Sequence, residues 1–124
     1  MTGSNLYPLT ISLHKQSKVL EIVYDDGKIF ELPCEYLRVF SPSAEVKGHG
    51  PGQEVLQTGK ENINISEVQP VGNYAVRLVF DDGHGTGLYT WNYLYELGEN
   101  QENNWREYLR KLSKLGYVHQ KDDQ

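Results

Sequence analysis

The side chains that could do chemistry in this chain are few, and they lie far apart in the sequence. His84 directly follows an Asp-Asp-Gly turn, whereas Glu45 and His49 lie in a segment rich in glycine and proline. Imidazole nitrogens and carboxylate oxygens are ligands for iron and zinc. We therefore expect a candidate iron or zinc site in which His84 combines with Glu45 or His49, if the segment folds over the turn. The alternative is a half-buried His84 that bonds a backbone carbonyl.

The sequence offers little for nucleophilic catalysis. Its single cysteine, Cys34, stands between Pro33 and Glu35, and a nearby carboxylate raises the pKa of a thiol. Cys34 is therefore predicted to be a packing residue. The glycines near His49 and Lys60 match neither a phosphate-binding loop nor a dinucleotide-binding loop, and no Gly-x-Ser-x-Gly motif occurs. These patterns predict a protein that is not an enzyme.

Size and charge limit the partners. The chain has 124 residues, a formal charge of −5 and a pI of about 5.3, which disfavours nucleic acid because phosphates require clustered Lys and Arg. No apolar run approaches the length of a membrane span, and residues 1–6 lack the pattern of a secretory signal. We expect one domain over residues 1–124, with a core over about 9–116, in a cytoplasmic protein without a membrane partner.

The chain repeats itself once. Residues 20–27 (LEIVYDDG) return as residues 76–83 (VRLVFDDG), and each copy then leads to a Tyr-Leu pair, at 36–37 in the first and at 93–94 in the second. The spacing differs by one residue, so the second copy carries one insertion. Each copy predicts a β-hairpin that is followed by a short helix.

Burial decides the length of the two hairpin loops. A three-residue loop, with Gly27 or Gly83 in the left-handed conformation, puts the apolar residues of both strands on one face. A two-residue loop would instead mix Glu31 into that face. In the first hairpin the predicted pairs are Tyr24 with Lys28, Ile22 with Phe30 and Leu20 with Leu32. In the second they are Phe80 with His84, Leu78 with Thr86 and Val76 with Leu88.

Further elements surround the two hairpins. Alternating apolar residues predict strands over residues 9–13 and 62–69, with a turn at Gly72. Pro33 is predicted to start the first short helix, and Thr90 to cap a second one that Gly98 closes. The last helix has an apolar side (Trp105, Leu109, Leu112), a basic stripe (Arg106, Arg110, Lys114) and a stop at Gly116. The fold class is therefore α+β, with small antiparallel β-sheets from two repeated hairpin-plus-short-helix units and a C-terminal helix.

Residues 41–60 are rich in glycine and proline and form a long segment without a predicted strand or helix. Long segments of this kind are often functional. We predict that residues 41–52 pack near His84 and that the two together form a binding surface, for a protein first and for a metal ion second. The candidate contact residues are Ser41, Ser43, Glu45, His49, His84 and Tyr89. Trp91 lies just after the hairpin and is assigned to the core.

Several segments together resemble the gamma-butyrobetaine hydroxylase-like N-terminal domain family. They are residues 37–38 leading into 41–46 (SPSAEV), then 48–51 (GHGP), 72–75 (GNYA), 80–84 (FDDGH) and 91–94 (WNYL). The likeness extends roughly from residue 13 to residue 116, and the Asp-Gly-His hairpin with its downstream Trp-x-x-Leu is the most specific part. The resemblance implies an α+β domain in its stand-alone bacterial form, and a connection to iron or iron–sulfur proteins.

The resemblance also implies where a zinc ion would lie. In the hydroxylases the domain holds zinc with three cysteines and one histidine; the histidine falls on His84, and the cysteines fall on Ser41, Ser43 and Val46. Neutral hydroxyls and an aliphatic side chain are poor zinc ligands, so the hydroxylase-type zinc site is predicted to be absent. No counterpart of the hydroxylase catalytic domain is expected either. We therefore expect a non-catalytic accessory or protein-interaction module, with metal binding as the alternative.

Overall fold

Strands and helices are arranged in two similar halves. The computed structural model describes residues 6–48 and 52–120. The first half contains the strands β1 (Pro8–His14), β2 (Val19–Tyr24) and β3 (Ile29–Pro33) and the helices α1 (Cys34–Val39) and α2 (Ala44–Lys47). The second half contains β4 (Ile65–Val71), β5 (Ala75–Phe80), β6 (Leu88–Thr90), α3 (Trp91–Glu99) and α4 (Gln101–Lys114).

Each half is built on an antiparallel sheet of three strands, in the orders β1-β2-β3 and β4-β5-β6. A short helix follows the third strand of each sheet, and α4 ends the described fold. This arrangement confirms the predicted α+β class. The strand predicted from residue 62 begins later, at Ile65, and runs on to Val71, although Ile63 is also buried.

The first hairpin has the predicted three-residue loop. The N–H of Tyr24 donates to the carbonyl of Lys28 at 2.9 Å, and Leu20 and Ile22 lie opposite the predicted residues of β3. Gly27 and its counterpart Gly83 have φ angles of 93° and 90°. Because L-residues rarely adopt this left-handed conformation, glycine is needed at both positions.

The second hairpin is confirmed at its mouth and differs beyond it. The N–H of Phe80 donates to the carbonyl of His84 at 2.8 Å, as the three-residue loop requires. Farther along, the predicted register is wrong by one residue, because Val76 lies opposite Tyr89 and not opposite Leu88. The extra residue lies in the glycine-rich stretch before β6. The shift brings the larger aromatic side chain into the core, where Tyr89 is fully buried.

One cluster of buried side chains joins both halves. It includes Leu20, Ile22, Leu32 and Leu37 from the first half and Leu78, Phe80 and Leu94 from the second. Tyr36 and Tyr93, which occupy equivalent positions in the repeat, bond across it in opposite directions. The hydroxyl of Tyr36 donates to the carbonyl of Leu97, and that of Tyr93 donates to the carbonyl of Phe40, each at 2.6 Å. These reciprocal bonds tie α1 to α3.

Helix α3 begins as predicted but does not end where it was expected to. Oγ1 of Thr90 accepts the N–H of Tyr93 at 3.1 Å, which is the predicted cap. Gly98 does not close the helix, since α3 continues to Glu99. A β-carbon on Gly98 would overlap the ring of Phe30. Glycine is therefore required here by close packing and not by helix termination.

Helix α4 turns its predicted apolar side toward the core and adds one residue to it. Leu112 is buried, Trp105 and Leu109 are partly buried and pack against the core, and Tyr108 is buried beside them. Tyr108 also donates its hydroxyl to the carbonyl of Gln57 at 2.7 Å. At 14 residues α4 is the longest helix of the described chain, and no helix there has the length and apolar character that a membrane crossing needs.

Candidate functional site

The mouth of the second hairpin and the segment after α1 come together at His84. The Oγ atoms of Ser41 and Ser43 lie 2.9 Å and 3.2 Å from Nε2 of His84. On the other side of the ring, Nδ1 lies 3.3 Å from Oε1 of Glu45. We call Ser41, Ser43, Glu45 and His84 the Ser–His cluster. Four of the six candidate contact residues thus lie together, while their role in binding stays a prediction.

The short helix α2 and a glycine on the hairpin allow this approach. Ser43 is the N-cap residue of α2, and Glu45 lies in the first turn. Oγ1 of Thr86 donates to Oε1 of Glu45 at 2.7 Å, which gives the helix a second contact with the hairpin. A β-carbon on Gly87 would lie 2.5 Å from Oγ of Ser41. The glycine-rich stretch before β6 therefore makes room for the segment after α1.

The surroundings of His84 favour the neutral form of its ring. Burial lowers the pKa of His84, and the positive charge of Arg38 lowers it further, so the ring is neutral at about pH 7. A serine hydroxyl can donate or accept a hydrogen bond, so the contacts at Nε2 fit either neutral tautomer. Ser41 is the nearer of the two hydroxyls.

The cluster is closed to solvent except at one end. Ser41, His84 and Glu45 form the order of hydroxyl, imidazole and carboxylate that activates serine nucleophiles. Ser41 is nevertheless fully buried and Ser43 is 6% exposed, so neither hydroxyl is presented to a substrate in this conformation. Only the carboxylate of Glu45 reaches the surface, where its side chain is 64% exposed. The cluster is therefore an internal contact with one acidic group outside.

Asp82 ties the hairpin to two cations. Its Oδ2 accepts hydrogen bonds from Nε of Arg38 at 2.9 Å and from Nζ of Lys60 at 2.7 Å, and its Oδ1 accepts the backbone N–H of His84 at 3.1 Å. Burial alone would raise the pKa of Asp82, but the bonds from Lys60, His84 and Arg38 lower it to about 2. Asp82 is therefore ionised near neutral pH and holds the backbone at His84 in place.

Three other residues singled out by the sequence take different places. Tyr89 is fully buried, and its hydroxyl donates to the carbonyl of Leu37 at 2.6 Å. It therefore supports the cluster from the core, which corrects its assignment to the binding surface. His49 lies outside the described residues. Cys34 is buried, as expected of a packing residue, and burial raises its pKa.

An apolar groove of about 420 Å³ lies beside the cluster and shares Ser41 with it. Its apolar walls come from α1 to α4 and from the segment before β4: Val39, Val46, Val55, Leu56, Tyr93 and Tyr108. We call it the Val55 groove. Val55 is 52% exposed, and Nζ of Lys47 lies 4.8 Å from the ring centre of Tyr93. No periodic pattern could have marked the groove, since its walls come from separate parts of the chain.

A larger cleft, of about 870 Å³, contains none of the predicted site residues. In it, Nε2 of His119 lies 2.6 Å from Oε2 of Glu35, and the ring of Trp105 lies 5.6 Å from that of His119. Glu61 accepts the hydroxyl of Tyr117 at 2.7 Å and the N–H of Gln120 at 3.1 Å. These polar groups anchor the segment after α4 to the rest of the fold.

Comparison with known proteins places this architecture in a family. Residues 11–95 match the family model of the gamma-butyrobetaine hydroxylase-like, N-terminal domain. The chain belongs to this family. No curated protein matches the sequence.

Solved structures of similar proteins have the same fold. Two solution structures determined by NMR are 47% and 50% identical to the chain, with TM-scores of 0.79 and 0.80. The matches cover 95% and 96% of this chain and 93% and 90% of the others. A crystal structure of a DUF971 family protein of unknown function from Acidithiobacillus ferrooxidans is 43% identical, with a TM-score of 0.63, and the match covers 73% of this chain and 91% of that one.

The positions that the resemblance assigns to zinc ligands do not fit a zinc ion in this chain. Ser41 and Ser43 offer neutral hydroxyls that already bond His84, and Val46 has no ligand atom. Within residues 6–48 and 52–120, no group of three His, Cys, Asp or Glu side chains is arranged to hold a metal ion. Glu45 and His84 form a pair only.

Proposed function

We propose that this protein is a non-catalytic accessory module that binds another protein through the Val55 groove and the exposed end of the Ser–His cluster. One contrast carries the proposal. The hydroxyls and the imidazole are buried and bond one another, while the side chain of Val55 lies half exposed in the groove beside them. Buried polar groups that hydrogen-bond each other stabilise the fold. Covering exposed apolar groups with a partner protein lowers the free energy of the complex.

The composition of the groove supports a protein partner. Apolar side chains make up much of its lining, and Val55 among them is 52% exposed. Charged residues of both signs line the same groove: Lys47, Glu54, Glu107 and Lys111. An apolar centre with a polar rim is the usual anatomy of a protein interface. Glu45, which does not line the groove, adds an exposed carboxylate where α2 contacts the second hairpin.

We further propose that the partner is an iron or iron–sulfur protein of the cytoplasm. What supports this class is the family resemblance, which links the domain to such proteins. The groove supplies the contact surface but carries no information about the partner's metal.

A pair of valine variants tests the proposal. Val55→Asp puts a charge into the groove, whereas Val118→Asp puts the same charge at a valine that is 78% exposed and does not line it. Affinity for a candidate iron–sulfur client protein, measured by calorimetry, should fall about tenfold or more for V55D, which corresponds to about 1.4 kcal/mol. It should not change for V118D. Equal affinities of V55D and the unchanged protein would contradict the groove as the binding surface.

Metal binding through His84 with Glu45 or His49 is a second candidate function. The observation that favours it is the 3.3 Å separation of Nδ1 of His84 and Oε1 of Glu45. Titration with ferrous iron or zinc, followed by calorimetry, tests it. Binding should be lost in H84A and kept in H14A, because His14 is exposed and pairs with Glu21 elsewhere in the fold. Equal binding by both variants, or none by the unchanged protein, would rule this candidate out.

A further inference from the structure

The segment that contains α2 has few backbone bonds to the sheet on which it lies. Among the described residues, the N–H groups of Val46 and Lys47 donate to the carbonyl of Ser43, and Val55 donates to the carbonyl of Val46. These bonds join residues of the same segment to one another, and none of them reaches the second hairpin. A helix of four residues is not stable alone. Side-chain contacts must therefore attach α2 to the second hairpin.

We infer that the Ser–His cluster is a metal-free cross-link, which holds the segment from Ser41 to Lys47 on the second hairpin in place of the zinc ion that the family implies. This inference goes beyond the proposed function, because it concerns what keeps the binding surface in shape and not what binds there.

The geometry supplies two ties on opposite sides of one imidazole ring. At Nε2, the hydroxyls of Ser41 and Ser43 lie 2.9 Å and 3.2 Å away and connect the start of the segment. At Nδ1, Glu45 lies 3.3 Å away, and its carboxylate also accepts the hydroxyl of Thr86. Both ties join the same two parts of the chain, as a shared metal ion would.

The same atoms exclude the family's zinc arrangement in this chain. Zinc would need a free lone pair on a ring nitrogen of His84, and Nε2 already lies in hydrogen-bond contact with both serine hydroxyls. It would also need thiolates where this chain has two neutral hydroxyls and Val46, which is buried at 7% exposure. Serine keeps the size of cysteine but exchanges a metal ligand for a hydrogen-bond donor. All three cysteine positions therefore differ from the zinc arrangement, and two of them now supply hydrogen bonds to His84 in place of metal contacts.

Imidazole nitrogen NMR tests the cross-link in the unchanged protein. The ¹⁵N shifts of His84 should show a neutral, unmetallated ring, and they should be the same after dialysis against a chelator and after addition of zinc. The control is His14, which is exposed and lies beside Glu21 elsewhere in the fold. A shift of either ring nitrogen when zinc is added or removed would overturn the inference. So would stoichiometric zinc that is retained on purification.

Cysteines introduced at positions 41, 43 and 46 test whether these positions are equivalent to the zinc-ligand positions that the resemblance implies. The variant S41C/S43C/V46C should bind one zinc ion per chain, and its cobalt complex should show the absorption of a tetrahedral thiolate site. Adding H84A should abolish that spectrum or change it to one without a histidine ligand. A folded triple variant that binds no zinc would contradict the equivalence. If the triple variant does not fold, the nitrogen shifts of the unchanged protein still decide the matter.

Discussion

The hydroxyl of Ser41 lies 2.9 Å from Nε2 of His84, although the two residues are 43 positions apart in the chain. In the first repeat the position of His84 is taken by Lys28, whose Nζ forms an exposed ion pair with Glu99 at 2.7 Å. The two copies of the hairpin thus use one position in two ways. The first makes a surface ion pair, and the second makes a buried cross-link beside the Val55 groove.

Removing the Ser41 hydroxyl should destabilise the protein. Ser41→Ala leaves Nε2 of a nearly buried imidazole with only the more distant Ser43 as a hydrogen-bond partner, so we expect a loss of about 1–3 kcal/mol in the free energy of unfolding. Urea unfolding measures this loss. Ser66→Ala, an exposed site on β4, is the control and should stay within about 0.5 kcal/mol. A loss for S41A no larger than for S66A would show that the cross-link contributes nothing to stability.

Gly83→Ala should lower the free energy of unfolding by about 1 kcal/mol or more, although it would cause no steric clash. A β-carbon at Gly83 would meet nothing within 4 Å, so the cost comes from its φ of 90° alone. Gly83→Asn should cost less, because asparagine tolerates this conformation better than alanine does. Thermal unfolding of the two variants checks the order. If alanine were as stable as glycine, the backbone argument would fail.

Gly98→Ala should destabilise by about 1–3 kcal/mol even though alanine favours helices by about 1 kcal/mol. The cause is the ring of Phe30, which occupies the space that a β-carbon needs. The double-mutant cycle with Phe30→Leu separates the two effects by urea unfolding. In the F30L background the cost of G98A should shrink, and an unchanged cost would place the strain elsewhere.

Asp82 should make stability depend on acid pH. Its pKa of about 2 in the folded protein lies below the ordinary value of 3.8. The stabilisation is therefore complete above about pH 4 and is lost as the pH falls toward about 2. Asp82→Asn should be less stable than the unchanged protein near neutral pH, because it leaves the guanidinium of Arg38 buried without its ion pair. Urea unfolding across this range should show the difference between the two proteins narrowing in acid, and a constant difference would contradict the assignment.

Much of the fold follows from local patterns. The two Asp-Asp-Gly loops, the cap at Thr90 and the stop at Gly116 were predicted because each depends on a few neighbouring residues. The register of β6 was predicted wrongly because Gly85 and Gly87 interrupt the alternation of apolar residues in the hairpin. The sequence therefore does not show that this stretch contains one extra residue.

The site was predicted only where a sequence signal existed. The repeat and the glycine-rich segment drew attention to His84 and Glu45, and these two residues do lie together. The burial of Tyr89 could not be predicted, because it depends on the shifted register. The contact of Glu35 with His119 joins residues 84 positions apart and leaves no local trace in the sequence.

Backbone amide shifts on addition of an iron–sulfur client protein test the proposed function most directly. The account predicts that the responding amides surround the Val55 groove and Glu45, with V55D abolishing the response and V118D preserving it. A response confined to the basic stripe at Arg106, Arg110 and Lys114 would contradict it, because that stripe lies outside the lining of the groove.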